Sequence, residues 1–187
     1  MSMFEELFTS PLSFFGKVKS KKISALDIII SALIVVIAST SNIATVLYLK
    51  QTVNIRFIIY ILLIPIPMWF LFSYILHLIA NVFSLRKYKR FQNTLFAIGI
   101  SRTPLLIFVF LQFIILAVKK VNAIPAQFLM VYIIVILWMF YLYLSCLNEF
   151  YELSFGRSVL VLVLTFVIII FITTLVNSVL NIRVIYF

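Results

Sequence analysis

Three polar residues repeat at four-residue intervals along an otherwise apolar segment of the sequence. Ser73, His77 and Asn81 are spaced i, i+4 and i+8, so a helix would carry all three on one face. Because polar side chains are costly against lipid, such a stripe is expected to face the interior of a helix bundle. Gln112 and Asn148, on two other apolar segments, are predicted to complete an intramembrane polar site with it.

Two interpretations of this polar site stay open. In the first, its side chains bridge helices through hydrogen bonds, each worth about 0.6 kcal/mol in a membrane protein. In the second, the site lines a cavity for a proton, an ion or a lipid headgroup, and His77 is the member that titrates.

The sequence lacks the residue combinations of standard catalytic and metal sites. His77 is the single histidine and Cys146 the single cysteine, so neither a standard zinc site nor an internal disulfide can form. The motifs H-E-x-x-H, G-x-S-x-G and the phosphate-binding G-x-x-x-x-G-K-S/T are absent. We therefore predict no enzymatic activity, no cofactor and no metal ion.

A second group of candidate residues consists of opposite charges that are predicted on the same side of the membrane. The loop after the stripe is basic and contains Arg86, Lys87, Lys89 and Arg90. Glu149 and Glu152 share one face if the fourth apolar segment continues as a helix. Ion pairs between the two regions, each contributing about 0–1 kcal/mol, are predicted to form a charge clamp. The remaining positive charge is expected to attract anionic lipid headgroups, at about 1 kcal/mol per residue near the surface. The alternative is a solvated loop without a specific partner.

Five long apolar runs carry these residues. Hydrophobic residues make up 65% of the 187-residue chain and charged residues 11%, whereas a soluble domain has about 25% charged residues. Each run is long enough for a membrane helix, which needs about 20 residues. The sequence therefore predicts an all-α polytopic membrane protein, a bundle of five transmembrane helices with spans at about 24–49, 55–83, 94–118, 123–147 and 158–180.

A short N-terminal segment, residues 1–23, precedes the transmembrane domain of residues 24–187. Ser10 and Pro11 are typical of a helix start, and the residues after them are apolar on one side and basic on the other. We predict a short amphipathic helix that lies at the membrane interface.

Helix boundaries and kinks are marked by a few residue types. Ser24 and Asp27 have the spacing of a capping box at the start of the first span. Proline removes a backbone hydrogen bond and bends a helix. Four residues are predicted to kink the second span and break the third: Pro65, Pro67, Gly99 and Pro104.

The net charge of +10 does not indicate nucleic-acid binding, because the basic residues lie at the ends of apolar runs. Ten of the 15 lysines and arginines fall on one side of the predicted membrane. By the positive-inside rule that side is cytoplasmic. With five spans, the N-terminus is expected in the cytoplasm and the C-terminus outside.

Three segments, in order and spacing, resemble the YIP family of Ypt-interacting membrane proteins in its short prokaryotic form. The first is a small-residue–proline–aromatic entry at Leu7–Phe15. The second is His77–Ala80 together with an alanine-x-glycine-x-serine stretch in Thr94–Ser101, which is followed by Pro104. The third is a span that contains Trp138, with its following turn at Leu147–Ser154. The resemblance covers nearly the whole chain and implies five spans with a cytoplasmic N-terminus.

The resemblance implies a fold more than an activity. Eukaryotic relatives contact prenylated Rab-type GTPases, but the chain lacks their long cytosolic N-terminal region, so this partner is not expected. The leading prediction is a non-enzymatic scaffold or adaptor of a prokaryotic plasma membrane. It would bind anionic lipid headgroups, other membrane proteins or a second copy of itself, and no nucleic acid. The alternative is a small transporter, channel or lipid-translocating protein with its polar site around His77.

Overall fold

A computed structural model of the chain describes residues 3–40, 62–85, 88–118 and 126–180. All regular structure in these ranges is helical. The eight helices are α1 (Met3–Thr9), α2 (Pro11–Ser20), α3 (Ala25–Ser39), α4 (Pro65–Phe83), α5 (Phe91–Ile100), α6 (Thr103–Val118), α7 (Ala126–Tyr151) and α8 (Phe155–Leu180).

Within the described ranges, four segments are long and apolar enough to cross a membrane: Pro65–Phe83, Phe91–Ile114, Leu129–Tyr151 and Phe155–Val176. The all-helical class is thus confirmed within the described residues. α3 is apolar but has only 15 residues, about 22 Å at 1.5 Å per residue, and a hydrocarbon core is about 30 Å thick. Residues 41–49, the end of the predicted first span, lie outside the described residues, so the fifth span stays a prediction.

The start of α3 has the predicted capping box. The Asp27 N–H donates to the Ser24 hydroxyl at 3.2 Å, and the Ser24 N–H donates to the Asp27 carboxylate at 2.9 Å. Each bond satisfies a donor that the helix start would otherwise leave without a partner. The function of Asp27 as a helix cap is therefore confirmed.

The prolines of the second predicted span lie at the start of a helix. Pro65 and Pro67 are in the first turn of α4, where a missing N–H costs no helical hydrogen bond. Residues 62–63 before them are also helical, and residue 64 forms a turn between the two helical segments. Residues 55–61 lie outside the described part, so a kink of the whole span stays a prediction.

The third span is interrupted. α5 ends at Ile100, a turn follows at residues 101–102, and Pro104 lies in the first turn of α6. The Ser101 hydroxyl donates to the Ala97 carbonyl at 2.7 Å, which occupies an acceptor at the end of α5.

α5 is the central helix of the bundle. Every residue from 93 to 100 is buried, and α5 packs against α2, α3, α4 and α7. α8 packs on α4 and α7 and leaves much of its apolar surface exposed. This distribution fits a bundle whose outer helices face lipid.

Close contact between α3, α4 and α5 depends on Gly99. The Ser31 hydroxyl donates to the Phe96 carbonyl at 3.0 Å, and the Trp69 indole donates to the Leu95 carbonyl at 3.1 Å. A Cβ atom on Gly99 would lie 1.9 Å from the Ser31 hydroxyl oxygen. Only glycine therefore fits at this crossing.

The N-terminal segment forms two helices, and α2 packs against α7. Phe14, Phe15 and Val18 of α2 are buried, so protein covers their side of the helix. The position of residues 1–23 at a membrane interface stays a prediction.

Candidate functional site: a buried histidine network and the charged helix ends

Three helices meet at a chain of polar side chains inside the bundle. His77 of α4 lies with its Nδ1 2.6 Å from the hydroxyl oxygen of Tyr151, the last residue of α7. That oxygen is 2.7 Å from the hydroxyl of Thr94 in α5. All three residues are buried, so each hydrogen bond joins helices where water does not compete.

Asn81 extends this chain to the loop after α4. Its side-chain oxygen accepts the Tyr88 N–H at 2.7 Å, and its NH₂ group donates to the Tyr88 carbonyl at 3.1 Å. These two bonds fix the orientation of the amide, because a flipped amide would face acceptor with acceptor and donor with donor. The same NH₂ nitrogen lies 3.2 Å from Nε2 of His77.

The two ring nitrogens of His77 face different neighbours. Nδ1 lies 2.6 Å from the Tyr151 hydroxyl oxygen and 3.4 Å from the Thr94 hydroxyl oxygen. Nε2 lies beside the Asn81 NH₂ group, which also donates to the His77 and Tyr88 carbonyls. Both nitrogens therefore contact polar groups, and the direction of each hydrogen bond depends on the tautomer of the ring.

The predicted polar site is brought together only in part. His77 and Asn81 belong to the network, whereas the buried Ser73 hydroxyl finds no hydrogen-bond partner within the described ranges. Asn148 is exposed and donates to the Leu153 carbonyl at 3.0 Å. Gln112 is carried by α6, which packs on α3 and α7.

The carbonyls at the C-terminal end of α2 receive donors from other elements. The Asn93 amide, 2% exposed, donates to the Val18 carbonyl at 2.6 Å and the Lys21 carbonyl at 2.9 Å. Arg90 donates to the Ser20 carbonyl at 3.2 Å. A helix end leaves such carbonyls without intrahelical partners, so these bonds attach α2 to the beginning of α5.

Tyr88 adds one more bond to the same helix end. Its hydroxyl donates to the Lys19 carbonyl at 3.3 Å. Burial raises the pKa of Tyr88 to about 12. The hydroxyl therefore stays protonated, and remains a donor, throughout the neutral range.

The charge clamp differs from the prediction in its partner. Lys19 of α2 pairs with Glu152 at 3.3 Å and donates to the Glu149 carbonyl at 2.7 Å. Among the described residues, neither Lys89 nor Arg90 is ion-paired with either glutamate. The reason is that α2 packs against α7 and brings its own lysine to the end of that helix.

Two members of the predicted clamp, Arg86 and Lys87, lie outside the described residues. Glu152 itself has a backbone φ of 54°, the left-handed conformation that often follows a helix end and that favours glycine. The Lys19 contacts stabilise the reversal of the chain after α7. The Ser84 hydroxyl adds a hydrogen bond there, because it donates to the Tyr151 carbonyl at 2.7 Å.

Sequence reasoning missed several members of the network. Thr94, Tyr88 and Tyr151 were not singled out for chemistry, and neither was Asn93 or Lys19. A usable signal was present, because Thr94 and Tyr151 both lie in segments that carry the family resemblance. In the part of the chain that the structure describes, no group of three His, Cys, Asp or Glu side chains is placed to hold a metal ion.

The chain matches a known protein-family model. The Yip1 domain model matches residues 6–176, which is most of the 187-residue chain. No curated protein and no solved structure matches the chain.

Proposed function

The chain belongs to the Yip1 domain family of multi-pass membrane proteins, and from this premise we propose that it is a non-enzymatic membrane scaffold. It has five spans, a cytoplasmic N-terminus and a C-terminus outside a prokaryotic plasma membrane. Its charged end, formed in the described residues by α2, residues 88–90 and the end of α7, faces the cytoplasm. There it binds anionic lipid headgroups and other membrane proteins or a second copy of the chain.

One observation carries this proposal: four buried or half-buried polar side chains of the bundle, those of His77, Asn81, Thr94 and Tyr151, contact one another. Both ring nitrogens of His77 are engaged, one by Tyr151 and one by Asn81. An imidazole that is occupied in this way connects helices and is poorly placed to bind a transported ion. The exposed cations of the charged end are better placed to meet a partner.

Reconstitution into liposomes tests the proposal. The scaffold moves no proton, ion or labelled lipid across the bilayer above the rate of empty liposomes. A membrane protein that co-purifies with the chain is released when Arg86, Lys87, Lys89 and Arg90 are changed to glutamine. Flux that is abolished by His77→Ala would overturn the scaffold, and tags on both termini facing one compartment would overturn the topology.

A transporter, channel or lipid-translocating protein is the second candidate. The interruption between α5 and α6 favours it, because broken helices often form substrate sites in transporters. Against it, the Ser101 and Thr103 hydroxyls donate to carbonyls of α5, those of Ala97 and Ile100. Ser101→Ala and Thr103→Ala would change transport rates if the break binds a substrate, and protein stability alone if it does not.

A further inference from the structure

A basic cleft lies beside the network, at the junction of the α2–α3 connection and the start of α5. Its volume is about 550 Å³, and its lining includes Lys22, Lys89 and Arg90. No aspartate or glutamate is among the lining residues. A concave surface with three cations and no acid has the chemistry of a phosphate site.

The cations of the cleft are not used by the ion pairs of the charged end. The three described ion pairs engage Lys17, Lys19 and Lys21, each with its own carboxylate. Lys22 and Lys89 are exposed, and Arg90 places one nitrogen on a backbone carbonyl of α2. The rest of its guanidinium group keeps donors that can face a ligand.

Two residues of the cleft wall are held in place by packing and hydrogen bonds. Asn93 is 2% exposed and bonded to carbonyls of α2, and Ile23 is 7% exposed. Both residues line the cleft. The cleft therefore exists before a ligand binds, which lowers the entropic cost of binding.

An exposed aromatic strip continues from the cleft along α4. The Phe91 ring, which lines the cleft, is 5.4 Å from the Phe70 ring and 5.8 Å from the Tyr74 ring. Phe70 is 50% exposed and Tyr74 46% exposed, on a helix apolar enough to cross a membrane. A ligand with a phosphate at one end and acyl chains at the other fits this arrangement better than a free phosphate does.

We infer that the cleft formed by Lys22, Lys89 and Arg90 binds the phosphate group of an anionic phospholipid whose acyl chains lie along Phe91, Tyr74 and Phe70. The inference rests on the proposed function, because it requires the charged end to lie at headgroup depth. It adds a defined binding position to the general attraction between basic loops and anionic membranes.

A pair of charge-matched variants of the full chain tests the inference. Lys22→Gln/Lys89→Gln removes two cleft cations, and Lys17→Gln/Lys21→Gln removes two cations of the same end outside the cleft. In detergent, binding of dioleoyl phosphatidylglycerol is measured by native mass spectrometry, with dioleoyl phosphatidylcholine as the zwitterionic reference. Inorganic phosphate and glycerol 3-phosphate are added as soluble competitors.

The cleft variant is expected to bind phosphatidylglycerol about 25-fold more weakly, from roughly fivefold for each of the two charges near the phosphate. The matched control changes by less than about fivefold, and the soluble competitors displace the lipid only in large excess. Equal losses in the two variants would overturn the cleft and leave only general charge attraction. Displacement by inorganic phosphate at lipid-like affinity would overturn the lipid as the source of the phosphate.

Failure of the cleft and failure of the scaffold give different results. Liposomes that show no flux, combined with equal lipid loss in both variants, reject the cleft alone. Flux that depends on His77 rejects the scaffold, whatever the two lysine variants do.

Discussion

α5 and α8 differ in the hydrogen bonds that their polar side chains make. In α8 the hydroxyl groups of Thr165, Thr173 and Ser178 donate to carbonyls of their own helix, three or four residues earlier. In α5, Thr94 and Asn93 bond to other helices, and two backbone carbonyls accept from α3 and α4. The central helix is thus connected through polar bonds, and the outer helix through apolar packing.

Burial follows the same division. In the most apolar 18-residue stretch of the α5–α6 span, 67% of the residues are buried. In the most apolar stretch of the same length in α8, 17% of the residues are buried. A helix that touches lipid on most of its surface must satisfy its polar groups internally. A helix surrounded by protein can use them to select its neighbours. The arrangement of this bundle is therefore specified mainly by α5 and its partners.

The largest expected effect is a difference in stability between two glycine-to-alanine variants. In Gly99→Ala the new Cβ atom meets the Ser31 hydroxyl oxygen at 1.9 Å, so we expect a loss of about 3 kcal/mol of stability. In Gly156→Ala of α8 the Cβ atom meets nothing within 4 Å, and stability is unchanged or slightly higher. Thermal unfolding in detergent measures both variants. Equal melting temperatures would contradict the special position of α5.

The second effect concerns the two bonds of the Tyr151 hydroxyl. Tyr151→Phe leaves His77 and Thr94 without that partner, and we expect a cost of about 1–3 kcal/mol. Tyr141→Phe on the same helix is the control, because Tyr141 is 43% exposed. Denaturant titration of the purified chain compares them. A control as destabilised as the network variant would argue against the bridging interpretation.

A smaller effect tests two threonines of equal burial. Thr94 and Thr165 are both 0% exposed, but only Thr94 bonds to another helix. Thr94→Val is expected to cost about 0.6–1.7 kcal/mol, and Thr165→Val close to zero. Combined with Tyr151→Phe, Thr94→Val should cost less than the sum of the single changes, because both remove the same bond. Additive losses would show that the two hydroxyls act independently.

The smallest expected effect concerns Glu6 of α1, which lies outside α5 and α8. Hydrogen bonds from Lys17 and Ser13 hold the pKa of Glu6 below its usual value. A depressed carboxyl pKa stabilises the folded state above the unfolded pKa, and this contribution is lost as pH falls through the folded pKa. The chain should therefore be slightly more stable than Glu6→Gln at neutral pH, and this difference should disappear as the pH falls through the folded pKa and become smaller at high salt. A salt-independent difference would reject an exposed ion pair as its origin.

Features that depend only on the spacing of residues within one helix could be predicted from the sequence. The capping box of Ser24 and Asp27 and the shared face of His77 and Asn81 follow from spacing along a single helix. The partner of Glu152 does not, because the Lys19 contact joins residues 133 positions apart. Asn148 was assigned to the polar site from its type, but the end of α7 directs its amide to the chain reversal.

The bonds from Asn93 to α2 make this helix part of the cooperative unit of the bundle. A segment with few buried contacts opens locally, and its amides then exchange hydrogen readily. If α2 detached, the Asn93 amide would lose the Val18 and Lys21 carbonyls at a position where it is 2% exposed. Protection from hydrogen exchange in α2 should therefore resemble that of the transmembrane helices.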